Sequence, residues 1–110
     1  MAYDEGYAEL LRQDLSGTQG ITEKKMFGGL CFLMDGNMVC GVHARGGMAR
    51  VGKLAEATAL QIDGVTPLSF TGRKMGGMVD VSEDVLADDD LRARVLKLAL
   101  AYAASLPPKP

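Results

Sequence analysis

The sequence predicts an α+β fold, a two-layer sandwich in which helices pack on an antiparallel β-sheet. Three observations carry that expectation. An Asp-Gly turn lies between two apolar runs over residues 30–43, amphipathic helical patterns stand near both ends of the chain, and the predicted elements run helix, several strands, helix, strand, helix. Strict alternation of strand and helix, the mark of a doubly wound sheet, is missing. The chain has 110 residues, of which 47% are hydrophobic, so it suits one domain (1–110) with a core of its own. No linker or low-complexity stretch divides it.

The first predicted element is a helix over 4–15, with Tyr7, Leu10, Leu11 and Leu15 at spacings of three and four. Asp4 suits the N-cap, Asp4 and Glu5 suit the positive end of the helix dipole, and Ser16, Gly17 and Gly20 supply stop signals. Residues 21–27 read as a first strand, interrupted by Gly28-Gly29. Residues 30–34 and 38–42 form the clearest strand pair, joined through Asp35-Gly36-Asn37, whose residues permit the positive φ angles of tight hairpins. Both strands are apolar on both faces, which places them in the middle of a covered sheet.

Gly46-Gly47 is expected to turn the chain, Met48–Val51 to form a short strand, and 53–62 a weaker helix ended by Asp63-Gly64. Pro67 and Gly72 bracket a segment expected to be irregular, and 77–81 reads as the last strand. The final helix begins at Asp88, Asp89 and Asp90, where negative charge is favoured. Leu91, Val95, Leu98, Tyr102 and Leu106 form one stripe, with Leu96, Leu100 and Ala103 beside it. That arc is wider than one sheet contact requires. Deep packing under a loop would account for it, and so would a helix-mediated homodimer or partner contact. Pro107-Pro108 ends the helix, leaving a tail over 107–110 that is expected to be loose.

Composition narrows the functional classes. Net charge is −2, from 12 basic and 14 acidic residues, so direct nucleic-acid binding is disfavoured. No apolar run is long enough to span a bilayer, and the N-terminus lacks the pattern of a signal peptide. A cytoplasmic location, with reduced thiols, is the expectation. Aromatics make up only 5% of the chain and Trp is absent, so seven methionines must fill much of the apolar space. They serve as core filler or as an adaptable binding surface.

No catalytic or metal centre is expected. His43 is the only histidine and has no companion ligand at metal-binding spacing. With a two-residue Asp35-Gly36 loop Cys31 faces Cys40 directly across the hairpin, which would allow a redox pair; with a Gly36-Asn37 or three-residue loop they do not face, and two buried thiols are the plainer reading. The glycine pairs match neither a P-loop nor a dinucleotide fingerprint. They fit strand breaks and tight turns, or a small-ligand or phosphate-binding module beside Lys25 and Lys74. Lys24, Lys25, Arg50, Arg73 and Lys74 could form a basic surface for an acidic protein segment or a phosphate. They could equally be a solvated edge that discourages strand association. No cofactor is implied.

Several segments together resemble a known family. They are Met1-Ala-Tyr-Asp-Glu5, Thr22-Glu-Lys-Lys-Met-Phe-Gly-Gly29, Gly36-Asn37-Met38 with Cys40-Gly41-Val42, Arg50-Val51-Gly52, Phe70-Thr71-Gly72-Arg73 and Ala101-Tyr-Ala-Ala-Ser-Leu-Pro-Pro-Lys109. In this order they are similar to the N-terminal domain of TfoX/Sxy proteins, along nearly the whole chain. The resemblance implies a fold like that of the secretion-chaperone group and a link to bacterial regulators of DNA-uptake competence. Those regulators are thought to act through other proteins, without a known enzymatic activity. The two-domain regulators carry a further C-terminal domain; this sequence resembles their first domain alone, as a stand-alone homologue would. The family supplies no catalytic residues to carry over. The expected interaction surface comprises Met26, Phe27, Gly28 and Gly29, the Gly72-Arg73-Lys74 loop, and Leu96 and Leu100. Its partner is expected to be a protein, or a second copy of the chain.

Overall fold

Asp35 and Gly36 occupy φ angles of 49° and 85°, and this tight turn organises the sheet around it. Positive φ at both central residues is the type I′ requirement, whose twist matches that of the flanking strands. The computed structural model describes residues 3–26, 28–70 and 73–109, with the side chains of 69, 70 and 73–75 outside that description. The turn joins β2 (Gly29–Met34) to β3 (Asn37–His43). Around this pair lie β1 (Ile21–Met26), β4 (Gly46–Arg50), β5 (Val65–Phe70) and β6 (Arg73–Val81). The strand order is β1-β2-β3-β4-β6-β5, and every neighbouring pair is antiparallel. The α+β sandwich expected from the sequence is therefore the fold, and β3 lies well inside the sheet.

Helices α1 (Glu5–Asp14), α2 (Glu56–Leu60), α3 (Glu83–Ala87) and α4 (Asp89–Ala104) complete the layer. Asp4 caps α1 by accepting from the N–H groups of Gly6 and Tyr7. α4 crosses β3 and β4, α3 lies against α4 and β4, α1 against β3, and α2 against β5 and β6. Ala8, Leu11, Phe32, Val42, Val79, Val85 and Val95 meet in the main core between helices and sheet.

Four local readings change. The chain turns at Ala44-Arg45, and Gly46 and Gly47 lie inside β4; glycine pairs mimic a turn signal wherever a strand runs close to its neighbours. The segment from Pro67 is strand β5, where proline is tolerated because β5 is an edge strand and is bulged between Pro67 and Ser69. The expected helix over 53–62 is reduced to the five residues of α2. A short extra helix, α3, precedes α4, capped by Ser82, with Asp88 serving both as its C-cap and as the N-cap of α4.

Packing takes up part of the width of the apolar arc on α4. Leu96 is buried in the main core, and Leu91, Leu98 and Leu100 are partly buried against it. The same helix buries Arg92, which donates to Asp14 at 2.6 Å, to Asp89 at 2.9 Å and to the Leu86 carbonyl at 2.7 Å. Among the described residues no buried side-chain polar atom lacks a partner. The tail expected to be loose is tied to the hairpin. Asn37 Nδ2 donates to the Pro107 carbonyl at 2.9 Å, and the Lys109 N–H donates to the Asp35 carbonyl at 2.8 Å.

Candidate functional site

Strand alternation decides which residues face away from the helices. Glu23 on β1 reaches Arg12 of α1, so Ile21, Glu23 and Lys25 lie on the helix side, while Lys24 and Met26 lie on the other. There Met38, Met48, Met78, Cys31 and Leu68 form a second apolar cluster, with Met26 and Leu33 packed at its margin. No helical residue belongs to that cluster. Four of the seven methionines thus line one sheet face.

A cleft of about 640 Å³ opens on this face. Its floor is Met26, Leu33, Met38 and Met78, drawn from β1, β2, β3 and β6. Its charged lining is Lys24, Arg50 and Lys109, the last delivered by the docked tail. A second cleft of about 620 Å³ meets it at Arg50 and Gly76 and runs past Lys53, Leu54 and Tyr102. The Arg50 guanidinium stands 5.3 Å from the centre of the Tyr102 ring, a cation–π contact. That ring lies so close to Gly52 (φ +84°) that a Cβ there would be 2.4 Å from the ring carbon Cδ1. The glycine thus permits both the backbone turn and the stacked tyrosine. Leu54 is fully exposed.

The electrostatics are one-sided. No carboxylate is among the described residues lining either cleft. The Arg12 and Arg92 ion pairs and the His43–Asp80 hydrogen bond lie elsewhere, and none of them engages Lys24, Arg50, Lys53 or Lys109. Adaptable thioethers below and cations above make a surface suited to an anionic group carrying apolar side chains.

The residues expected to form the interaction surface are only partly brought together. Met26 lines the first cleft. Phe27 and Gly72 lie outside the described residues. Gly28 is exposed at the β1–β2 turn, and Gly29 is buried as the first residue of β2. Arg73 and Lys74 belong to β6 rather than to a loop, their backbones paired with Phe70 and Ser69. Leu96 is buried against the core and Leu100 is half-buried, and the two share the lining of a separate cleft of about 700 Å³ between α1 and α4, away from Met26. Lys24 and Arg50, read from the sequence as part of a basic surface, do share the cleft, whereas Lys25 points to the helix side. Met38, Met78, Tyr102, Lys53 and Lys109 were not anticipated. Strand parity could have placed Met38 and Met78, but only with the register known.

Other chemistries find little support in the geometry. His43 Nε2 lies 2.8 Å from Asp80 Oδ1, and its Nδ1 accepts from the Arg45 N–H at 3.1 Å. With both ring nitrogens engaged, the histidine holds β3 to β6 and offers no free base. Cys31 and Cys40 are both free and buried. The two-residue loop does form, but a bulge between Phe32 and Leu33 shifts the register, so Cys31 pairs with Gly41 and Cys40 with Phe32. The two thiols belong to the clusters on opposite faces of the sheet. Burial raises the Cys31 pKa to about 11 and pushes that of Cys40 up as well. At the Gly76-Gly77 pair, the Gly77 N–H donates to Glu56 Oε1 at 2.8 Å, so the protein's own carboxylate occupies the amide a phosphate would need. Among the described residues no group of three metal-ligating side chains is found. No helix there is long and apolar enough to cross a membrane.

Comparison with known proteins gives one match. A family model described as the TfoX N-terminal domain matches residues 13–103. No curated protein and no solved structure matches the chain.

Proposed function

The chain belongs to the TfoX N-terminal domain family, and from that premise we propose that it is a non-enzymatic interaction domain that docks a partner protein on the helix-free face of its sheet. The observation that carries this reading is the methionine-floored cleft with Lys24, Arg50 and Lys109 at its walls and no carboxylate among its described lining residues. Methionine surfaces repack around different apolar side chains at little cost, a property used by proteins that bind other proteins. The role is regulatory, of the kind suggested by the resemblance to bacterial competence regulators, and is exerted in the cytoplasm, where two free thiols suit a reducing environment. Support for a non-catalytic role comes from His43, whose ring nitrogens are both engaged, and from thiols whose pKa is raised rather than lowered.

Affinity capture from a lysate of the source organism tests the reading. The wild-type chain and a Lys24→Glu/Arg50→Glu variant are immobilised side by side. A protein retained stoichiometrically by the wild type and lost from the variant is the expected result. Identical retention by both chains, with the variant folded, would overturn docking at this face.

A further inference from the structure

We propose that the two clefts form one trough for an extended acidic peptide segment of the partner, with its carboxylates on Lys24, Arg50, Lys53 and Lys109 and its apolar side chains on the methionine floor and beside Leu54. The inference rests on the docking reading above and specifies the chemistry of the occupant. Contiguity comes first: Arg50 and Gly76 line both clefts, so the two adjoin, the first on the helix-free face and the second beside α4 at Leu98 and Tyr102. Charge comes second. The molecule carries a net charge of −2, yet the charged side chains among the described trough lining are Lys24, Arg50, Lys53 and Lys109; the Glu56 carboxylate is turned to the Gly77 N–H at the border of the second cleft. Four cations along the lining favour an acidic occupant and disfavour basic ones. Third, Leu54 is fully exposed at one end while Met38 and Met78 lie buried at the other. A small anion would use one cleft and leave Lys53 and Leu54 without a role.

Other occupants fit less well. A nucleic-acid backbone requires a longer basic track than these side chains provide. The chain's own acidic run, Asp88–Asp90, is already committed: Asp88 caps α4 and Asp89 pairs with Arg92. It is therefore not free to enter the trough of a second copy as an extended segment.

The test pans a displayed library of random peptides, each of about a dozen residues, on the full chain, and then measures binding of synthetic peptides by fluorescence anisotropy. Selected peptides should interleave Asp or Glu with Leu, Met, Phe or Tyr. Replacing their acids by the amides, or using Lys24→Glu/Arg50→Glu protein, should weaken binding about tenfold or more. Raising the salt should weaken it further, since exposed charges are screened. Arg45→Glu, an exposed change at the β3–β4 turn that lines neither cleft, should leave binding unchanged. Lys24 and Lys109 are exposed, so Lys24→Glu/Lys109→Glu gives a second variant should the Arg50 change disturb the fold. Selected peptides that carry no acid but still lose affinity for the Arg50 variant would overturn this proposal and leave docking at the face standing. Peptides that bind all variants equally, or no selection at all, would overturn both. Complete displacement of the selected peptides by inorganic phosphate or octanoate at comparable affinity would assign the trough to a small anion. Self-association abolished by the Lys24→Glu/Lys109→Glu change would assign it to a second copy. Either of those results also overturns the proposal.

Discussion

Val39 is the extra residue of the β2–β3 ladder, and by its presence it separates two thiols that a regular register would have joined. Cys31 ends up on the methionine face and Cys40 in the core under the helices, each nearly or wholly buried. Burial disfavours the thiolate, the reactive form, and raises the Cys31 pKa to about 11. Both cysteines are therefore expected to react very slowly with a thiol reagent at neutral pH in the folded protein, and rapidly once denaturant is added. Counting thiols with a chromogenic disulfide checks this; a thiol titrating rapidly in the native state would contradict it. The outcome at this site shows what was legible in the sequence. Asp35-Gly36 identified the loop correctly, because positive φ is a local demand that few residue types meet. The bulge beside it had no local signature, because Val39 is as good a strand residue as its neighbours.

Arg92 illustrates the same limit between elements. In the sequence it is one charged residue on an amphipathic helix; in the fold it is buried and joins α1 through Asp14, the start of α4 through Asp89 and the end of α3 through the Leu86 carbonyl. Asp14→Ala should leave this cation short of its main partner and cost about 3 kcal/mol. Arg92→Met, which retains an apolar stem in the same space, should be milder when combined with Asp14→Leu than when made alone. Urea unfolding with unchanged m-values checks both statements, and additivity of the two changes would argue against the pairing. Elements with strong periodicity or caps, α1 and α4 among them, were readable because their signals are local. β5 and the Gly46-Gly47 stretch were misread because Pro and Gly look like punctuation until the sheet partners are known. The cleft was legible only in fragments. Lys24 and Arg50 stood out as charges, but Lys109 joins them only because Asn37 and Asp35 hold the tail.

On the scale of the molecule the sheet separates two environments, a helix-covered core and a methionine face whose margin is basic. Glu23, on the helix side of β1, is clasped by Arg12, which lies 2.6 Å away and holds the carboxyl below its ordinary value of 4.5. A depressed carboxyl pKa contributes stability that is fully present above the ordinary value and is lost as the pH falls through the lower, folded-state value. Because both side chains are exposed to solvent and screened, the contribution is small. Glu23→Gln should thus lower stability slightly at neutral pH and converge with the wild type in acid. Thermal melts across that range check the convergence, and a constant difference at every pH would contradict it. The docked tail bears on how such experiments are built. Because Lys109 lies against the Asp35-Gly36 turn and lines the cleft, anything fused after it emerges at the mouth of the trough. An affinity tag placed there, above all one rich in acidic residues, would compete for the trough or block it. Immobilisation through the N-terminal end, which leads into α1 on the opposite layer, keeps that face open.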